Sequence, residues 1–120
     1  MTDEEKLRIQ LMDCNDDWYL LTCLWEMDYK IKQLKEGYYQ RYFPKNLKRN
    51  WGFNCCQCGE RVQSDKDEFY YIVTIKWKDP HKPGKRFCSS QCADIFVSES
   101  EAWILRMKKV YQDARMNVRN

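Results

Sequence analysis

Two pairs of cysteines, set far apart in the chain, constrain its fold more than any other feature. The first pair lies in Asn54-Cys55-Cys56-Gln57-Cys58-Gly59 and the second in Arg86-Phe87-Cys88-Ser89-Ser90-Gln91-Cys92. Read as C-x2-C, then 29 residues, then C-x3-C, the thiols of Cys55, Cys58, Cys88 and Cys92 have the spacing of a four-cysteine zinc site. Zinc takes four soft ligands in a tetrahedron, and two tight turns bring the sulfurs together with little backbone ordering. The doubled Cys55-Cys56 leaves the first ligand open: Cys55 through C-x2-C, or Cys56 through C-x-C. The chain has seven cysteines, an odd count that with this spacing argues for a metal in a reducing compartment and against a disulfide framework.

The residues between the pairs read as a hairpin. Phe69 to Trp77 is rich in β-branched and aromatic residues and predicts a strand. The run Asp79-Pro80-His81-Lys82-Pro83-Gly84 predicts a turn, and Lys85-Arg86-Phe87 a returning strand that delivers Cys88. Glu60-Arg61-Val62 predicts a short strand leaving the knuckle. Ser89 or Ser90 can cap a last helix with Cys92 in its first turn. A knuckle, a hairpin and a helix whose first turn carries ligands is the order of a treble-clef zinc finger. Gly59 permits the left-handed turn that aims backbone N–H groups at the thiolates. The fold class expected is therefore α+β: a small treble-clef module flanked by an N-terminal helical arm and a long C-terminal helix.

Cys55-x-x-Cys58-Gly59 with Phe87-Cys88-Ser89-Ser90-Gln91-Cys92 resembles the FCS-type zinc fingers. These include the MYM-type and TRASH-type fingers, a zinc-bearing ribosomal protein, and a small late transcription factor of poxviruses and related large DNA viruses. The resemblance covers about residues 53–98, and the lone finger between flanking helices is most similar to the viral type. It implies one structural zinc ion and a role in transcription; the motif marks the fold and says little of function.

The arms carry the rest of the reading. Thr2-Asp3-Glu4-Glu5 has the form of a capping box and predicts a helix start. Leu7, Leu11, Cys14, Trp18, Leu21 and Trp25 recur at helical steps, and Leu20, Leu24, Met27, Ile31, Leu34 and Tyr38 repeat them on an adjacent face. Asp13-Cys14-Asn15-Asp16-Asp17 predicts a break and a second helix from about Asp17, with Gly37 as its C-cap. In the last helix the stripe expected is Phe96, Trp103, Met107, Val110, Ala114 and Val118. Two apolar faces on one arm are more than a small domain buries. One face should meet that stripe, and the face of Leu20, Leu24, Met27, Ile31 and Leu34 is the candidate surface for a protein partner or a second copy.

Charge divides the chain. Residues 1–36 hold nine acids against five bases, whereas residues 37–54 hold Arg41, Lys45, Lys48 and Arg49 with no acid. Those bases interleave with Tyr38, Tyr39, Tyr42, Phe43, Trp51 and Phe53, the ingredients of a single-strand binding surface. The competing reading is a connector with its rings in the core and its charges in water. The domains expected are an arm at 1–37, a basic aromatic connector at 38–53, the zinc module at 54–98 and a helix extension at 99–120.

Several classes are excluded on sequence. No run approaches 18 apolar residues, so no membrane span is expected, and the acidic start is unlike a secretion signal. Cys14 and Cys23 read as core thiols and His81 as a turn residue. Four thiolates leave zinc no open position, and no general base, carboxylate pair or phosphate loop stands out, so neither an enzyme nor a small-molecule substrate is expected. Two functions remain: a non-catalytic zinc module in transcription or nucleic-acid complexes, or a structural assembly subunit of a virion or larger machine. Either sits in the cytoplasm, the nucleus or the virion.

Overall fold

The computed structural model describes residues 1–45, 51–74 and 84–118. The chain is α+β, with helices α1 (Asp3–Leu11), α2 (Asp17–Glu36) and α3 (Ser90–Met116) and strands β1 (Tyr38–Tyr42), β2 (Gly52–Asn54), β3 (Arg61–Gln63), β4 (Phe69–Val73) and β5 (Lys85–Phe87). It divides into two compact units, Met1–Lys32 with Ser100–Asn120, and Gln33–Glu99.

The first unit is helical. Thr2 caps α1, its hydroxyl accepting from Glu5 N at 3.2 Å. Asp16 does the same for α2, accepting from Tyr19 N at 3.1 Å, so the Asn/Asp run is indeed a break between helices. Leu11, Leu20 and Val110 form a buried cluster, with Leu7, Cys14, Tyr111, Ala114 and Val118 packed against it. Acids of the arm meet bases of α3 at Arg106–Glu4 (2.9 Å), Lys108–Asp28 (2.6 Å) and Arg115–Asp17 (2.7 Å), and one pair runs the other way, Arg8 of α1 to Asp113 of α3 at 3.0 Å.

Two expectations about faces are corrected here. Leu20, Leu24 and Met27, expected on an open face, are buried within the chain, and so is Leu34 in the second unit; Ile31 is half-buried. Trp18 and Trp25 are exposed instead. The indole is bulky and carries an N–H, whereas leucine and methionine side chains carry no polar atom to satisfy. Likewise Trp103 turns outward, donating its Nε1–H to Asp3 at 3.2 Å, and Ile104 takes the buried position.

The second unit holds two antiparallel sheets, β1-β4-β5 and β2-β3. The hairpin expected before Cys88 is present as β4 against β5, with Tyr71 opposite Phe87 and Val73 opposite Lys85. Residues 75–83, with the expected turn and His81, lie outside the described residues. Part of the stretch read as a connector is a strand: β1 pairs along all of β4, from Tyr38 opposite Val73 to Tyr42 opposite Phe69. Its alternation was illegible because four of its five residues are exposed. Phe43, Phe53, Val62, Tyr70 and Ile72 make the core between the sheets, and Cys88 packs on it. On the other side of β5, Phe87 meets Phe96 of α3 with ring centroids 5.2 Å apart.

Gly37 ends α2 for a different reason than a left-handed cap. Its φ is not positive, unlike that of Gly59 and Gly84. A Cβ there would meet the Thr74 hydroxyl and lie 2.7 Å from the Thr74 carbonyl oxygen, so glycine admits β4 against the helix end.

Candidate metal centre

Two local structures converge on the four thiols. The first is the knuckle after β2. Cys55 N donates to the Glu60 carbonyl at 2.8 Å, and Gly59 N to the Cys55 carbonyl at 2.9 Å. Gly59 closes this turn at φ +80°, a conformation costly for a residue with a Cβ. Cys56 N donates to the Arg86 carbonyl at 3.0 Å, which ties the knuckle to the end of β5. The second is the start of α3. Phe87, fully buried, anchors the end of β5, and Cys88 follows directly. Ser89 caps the helix, its hydroxyl accepting from Cys92 N at 3.3 Å, so Cys92 falls in the first turn on the same side as Cys88.

The sulfurs of Cys55, Cys58, Cys88 and Cys92 all lie within 4.8 Å of one another. Cys58 and Cys88 are 3.5 Å apart, and Cys88 and Cys92 3.8 Å. A tetrahedron with metal–sulfur bonds of about 2.3 Å has sulfur–sulfur edges of about 3.8 Å. A disulfide would need about 2.05 Å, and all seven cysteines are free. The arrangement could therefore hold one metal ion, and an all-thiolate set suits a thiophilic divalent cation over calcium or magnesium. The cluster includes Cys55; Cys56 is exposed and outside it.

Electrostatics at the site favour a cation. Burial pushes the Cys55 thiol up, but backbone N–H groups of Cys58, Cys88 and Gln57 aimed at its sulfur bring it down to about 6. Burial, then the Cys58 thiol, pushes Cys88 up to about 12. One thiolate forms easily in this crowd, and further ones are opposed by desolvation and by each other. A divalent cation removes that opposition. The N-terminal end of α3 adds positive potential from the same direction.

The other residues singled out from sequence lie elsewhere. Arg41 on β1 and Lys45 after it are exposed. Lys48 and Arg49 lie outside the described residues. The rings of the same stretch divide: Phe43 and Phe53 are in the core, while Tyr42 is exposed and touches exposed Phe69 at 5.7 Å. Phe69 in turn touches Tyr71 at 5.9 Å. Sequence reasoning missed Arg86, whose guanidinium sits 5.1 Å from the Trp51 ring centre and 5.2 Å from that of Phe53. Nothing local marks that contact, because the two rings and the cation are more than thirty positions apart. Tyr38, read from sequence as one of the rings of the basic stretch, instead donates its hydroxyl to the Ser90 carbonyl at 3.3 Å and so ties β1 to the start of α3.

Among the described residues no helix is long and apolar enough to cross a membrane. Comparison with protein-family models, with curated proteins and with solved structures finds no match to this chain.

Proposed function

We propose that Cys55, Cys58, Cys88 and Cys92 hold one structural zinc ion, and that the module so stabilised acts without catalysis in a transcription or nucleic-acid-associated complex. The observation that carries the first half is the four sulfurs within 4.8 Å, drawn from two separate turns. Zinc would supply crosslinking between the knuckle and the start of α3, and a four-thiolate shell leaves no coordination position for a substrate. The second half is supported by the resemblance of the two motifs to FCS-type fingers, the poxviral late transcription factor type among them. It is also supported by the exposed rings of Tyr42 and Phe69, paired across β1 and β4, and by exposed Arg41 and Lys45 in the same stretch, Arg41 on the opposite face of β1 from Tyr42. Rings that stack on bases beside cations that neutralise phosphates suit a single strand. The bases of α3 contribute less than their number suggests, since Arg106, Lys108 and Arg115 already pair with acids. Free thiols suit a reducing compartment: cytoplasm, nucleus or virion interior.

A salt titration tests this reading. Binding of a labelled single-stranded oligonucleotide is expected to weaken steeply with salt, and Arg41→Ala to reduce the logarithmic slope by roughly 0.7. Tyr42→Ala is expected to cost about 1–3 kcal/mol of binding with the slope unchanged. Absence of binding at low salt removes the nucleic-acid role and leaves the zinc module standing.

A second reading, an assembly subunit that binds protein, is favoured by one specific observation: exposed aromatic rings on α2, away from its buried stripe.

A further inference from the structure

The outer face of α2 is unusual for a surface. Trp18, Trp25 and Tyr29 are 68 %, 54 % and 60 % exposed. Together with Thr22 they recur at steps of four, three and four, which sets them on one line along the helix. That line runs opposite the buried stripe of Leu20, Cys23, Leu24 and Met27. The two indoles already touch edge to face, with centroids 5.7 Å apart. Tryptophan and tyrosine grouped in this way are the residues that dominate binding energy in protein interfaces.

We propose that this face is the site at which a second copy of the chain docks, α2 against α2, antiparallel. This names the partner within the assembly reading above and rests on it. Size supports the arrangement. With the two-fold axis between Cys23 and Leu24, Trp18 lies opposite the other copy's Tyr29, and Trp25 lies opposite its Thr22. Thr22 is the small member of the line, and its hydroxyl is turned onto the Trp18 carbonyl at 2.9 Å, so an indole fits over it without stranding a polar group. Charge supports the same orientation. Exposed Asp13 and Asp16 lie in the turn that leads into the helix, and exposed Lys32 lies near its end on the side of the rings. An antiparallel copy sets each acidic end beside a basic end, whereas a parallel copy sets like on like. Glu26, exposed beside the rings, opposes a nucleic-acid backbone or an anionic membrane as the occupant.

Sedimentation velocity of the zinc-loaded, nuclease-treated full chain over a dilution series decides it. A reversible dimer is expected, and Trp18→Glu and Trp25→Glu should each raise its dissociation constant by at least about tenfold. Both rings are outside the core, so zinc content and helical signal should match the wild type. Asp13→Lys and Lys32→Glu should each loosen the dimer, and the two together should restore it. A monomer throughout the series overturns the proposal and leaves the assembly reading with a foreign partner only. A dimer indifferent to both tryptophan variants overturns this face. A charge-exchanged pair no tighter than its singles overturns the antiparallel arrangement.

Discussion

Cys88 stands 3.5 Å from the Cys58 sulfur and 3.8 Å from that of Cys92, so its loss opens the centre on two sides. Structural zinc sites are worth about 10–16 kcal/mol, as much as the whole stability of a small domain. Cys88→Ser is therefore expected to lose zinc and to abolish cooperative melting of the unit Gln33–Glu99. Metal analysis and a thermal melt check it, and a variant that keeps zinc and melts like the wild type excludes the centre. Cys56→Ser should keep one zinc per chain, because Cys56 is exposed and outside the cluster. The spacing of the pairs was legible in the sequence, since it depends on short turns. The choice between Cys55 and Cys56 was not. Both satisfy a short-turn pattern, and what separates them is tertiary: Cys55 is buried with its sulfur among those of Cys58, Cys88 and Cys92, while Cys56 is exposed.

Elements that rest on local chemistry read well, as did the pairing of β4 with the next strand along the chain, β5; the pairing of β1 with a distant strand did not. The caps at Thr2 and Ser89 and the helix break before Asp17 follow from side chains reaching their own backbone. Strand β1 depends on β4, thirty residues on, and its exposed residues carry no hydrophobic alternation. Gly37 combines both cases. Sequence marks it as a helix end, but the reason is the approach of Thr74, whose N–H donates to the Gly37 carbonyl at 3.0 Å. Gly37→Ala puts a Cβ against the Thr74 carbonyl and the Gln33 carbonyl, at 2.7 and 3.1 Å. The expected cost is about 1–3 kcal/mol, read as a lower midpoint in chemical denaturation at unchanged zinc content. An unchanged midpoint means the end of β4 gives way freely and the contact is unimportant.

Across the whole molecule, net charge is a poor guide to where the charges act. The acidic arm and the basic end of α3, separate blocks in the sequence, meet as ion pairs inside one unit. Those pairs are solvent-exposed, and exposed pairs contribute about 0–1 kcal/mol each. Burial of Leu20, with no exposed surface, outweighs any of them. Leu20→Ala is expected to destabilise by about 2–5 kcal/mol. Arg115→Ala, which loses the contacts of 2.7 and 3.4 Å to Asp17, should cost under about 1 kcal/mol, and less as salt rises. Urea titrations of both variants at low and high salt check the order. Equal losses would mean that the ion pairs, and not the apolar cluster, hold the helical unit.

The amino-acid sequence alone determined the four-thiol spacing, the helix limits, the hairpin before Cys88 and the α+β class. The helix limits and each thiol pair depend on neighbours within a turn or two, and the hairpin on consecutive strands, where propensity and periodicity act directly. Tertiary structure decided which of two apolar faces of α2 is buried, whether Trp103 or Ile104 enters the core, and which rings of residues 38–53 are covered. Periodicity puts residues on a face but does not say what the face meets. That depends on which other side chains arrive there, and in this chain Leu11, Leu20 and Val110, far apart in sequence, settle it by burying one another.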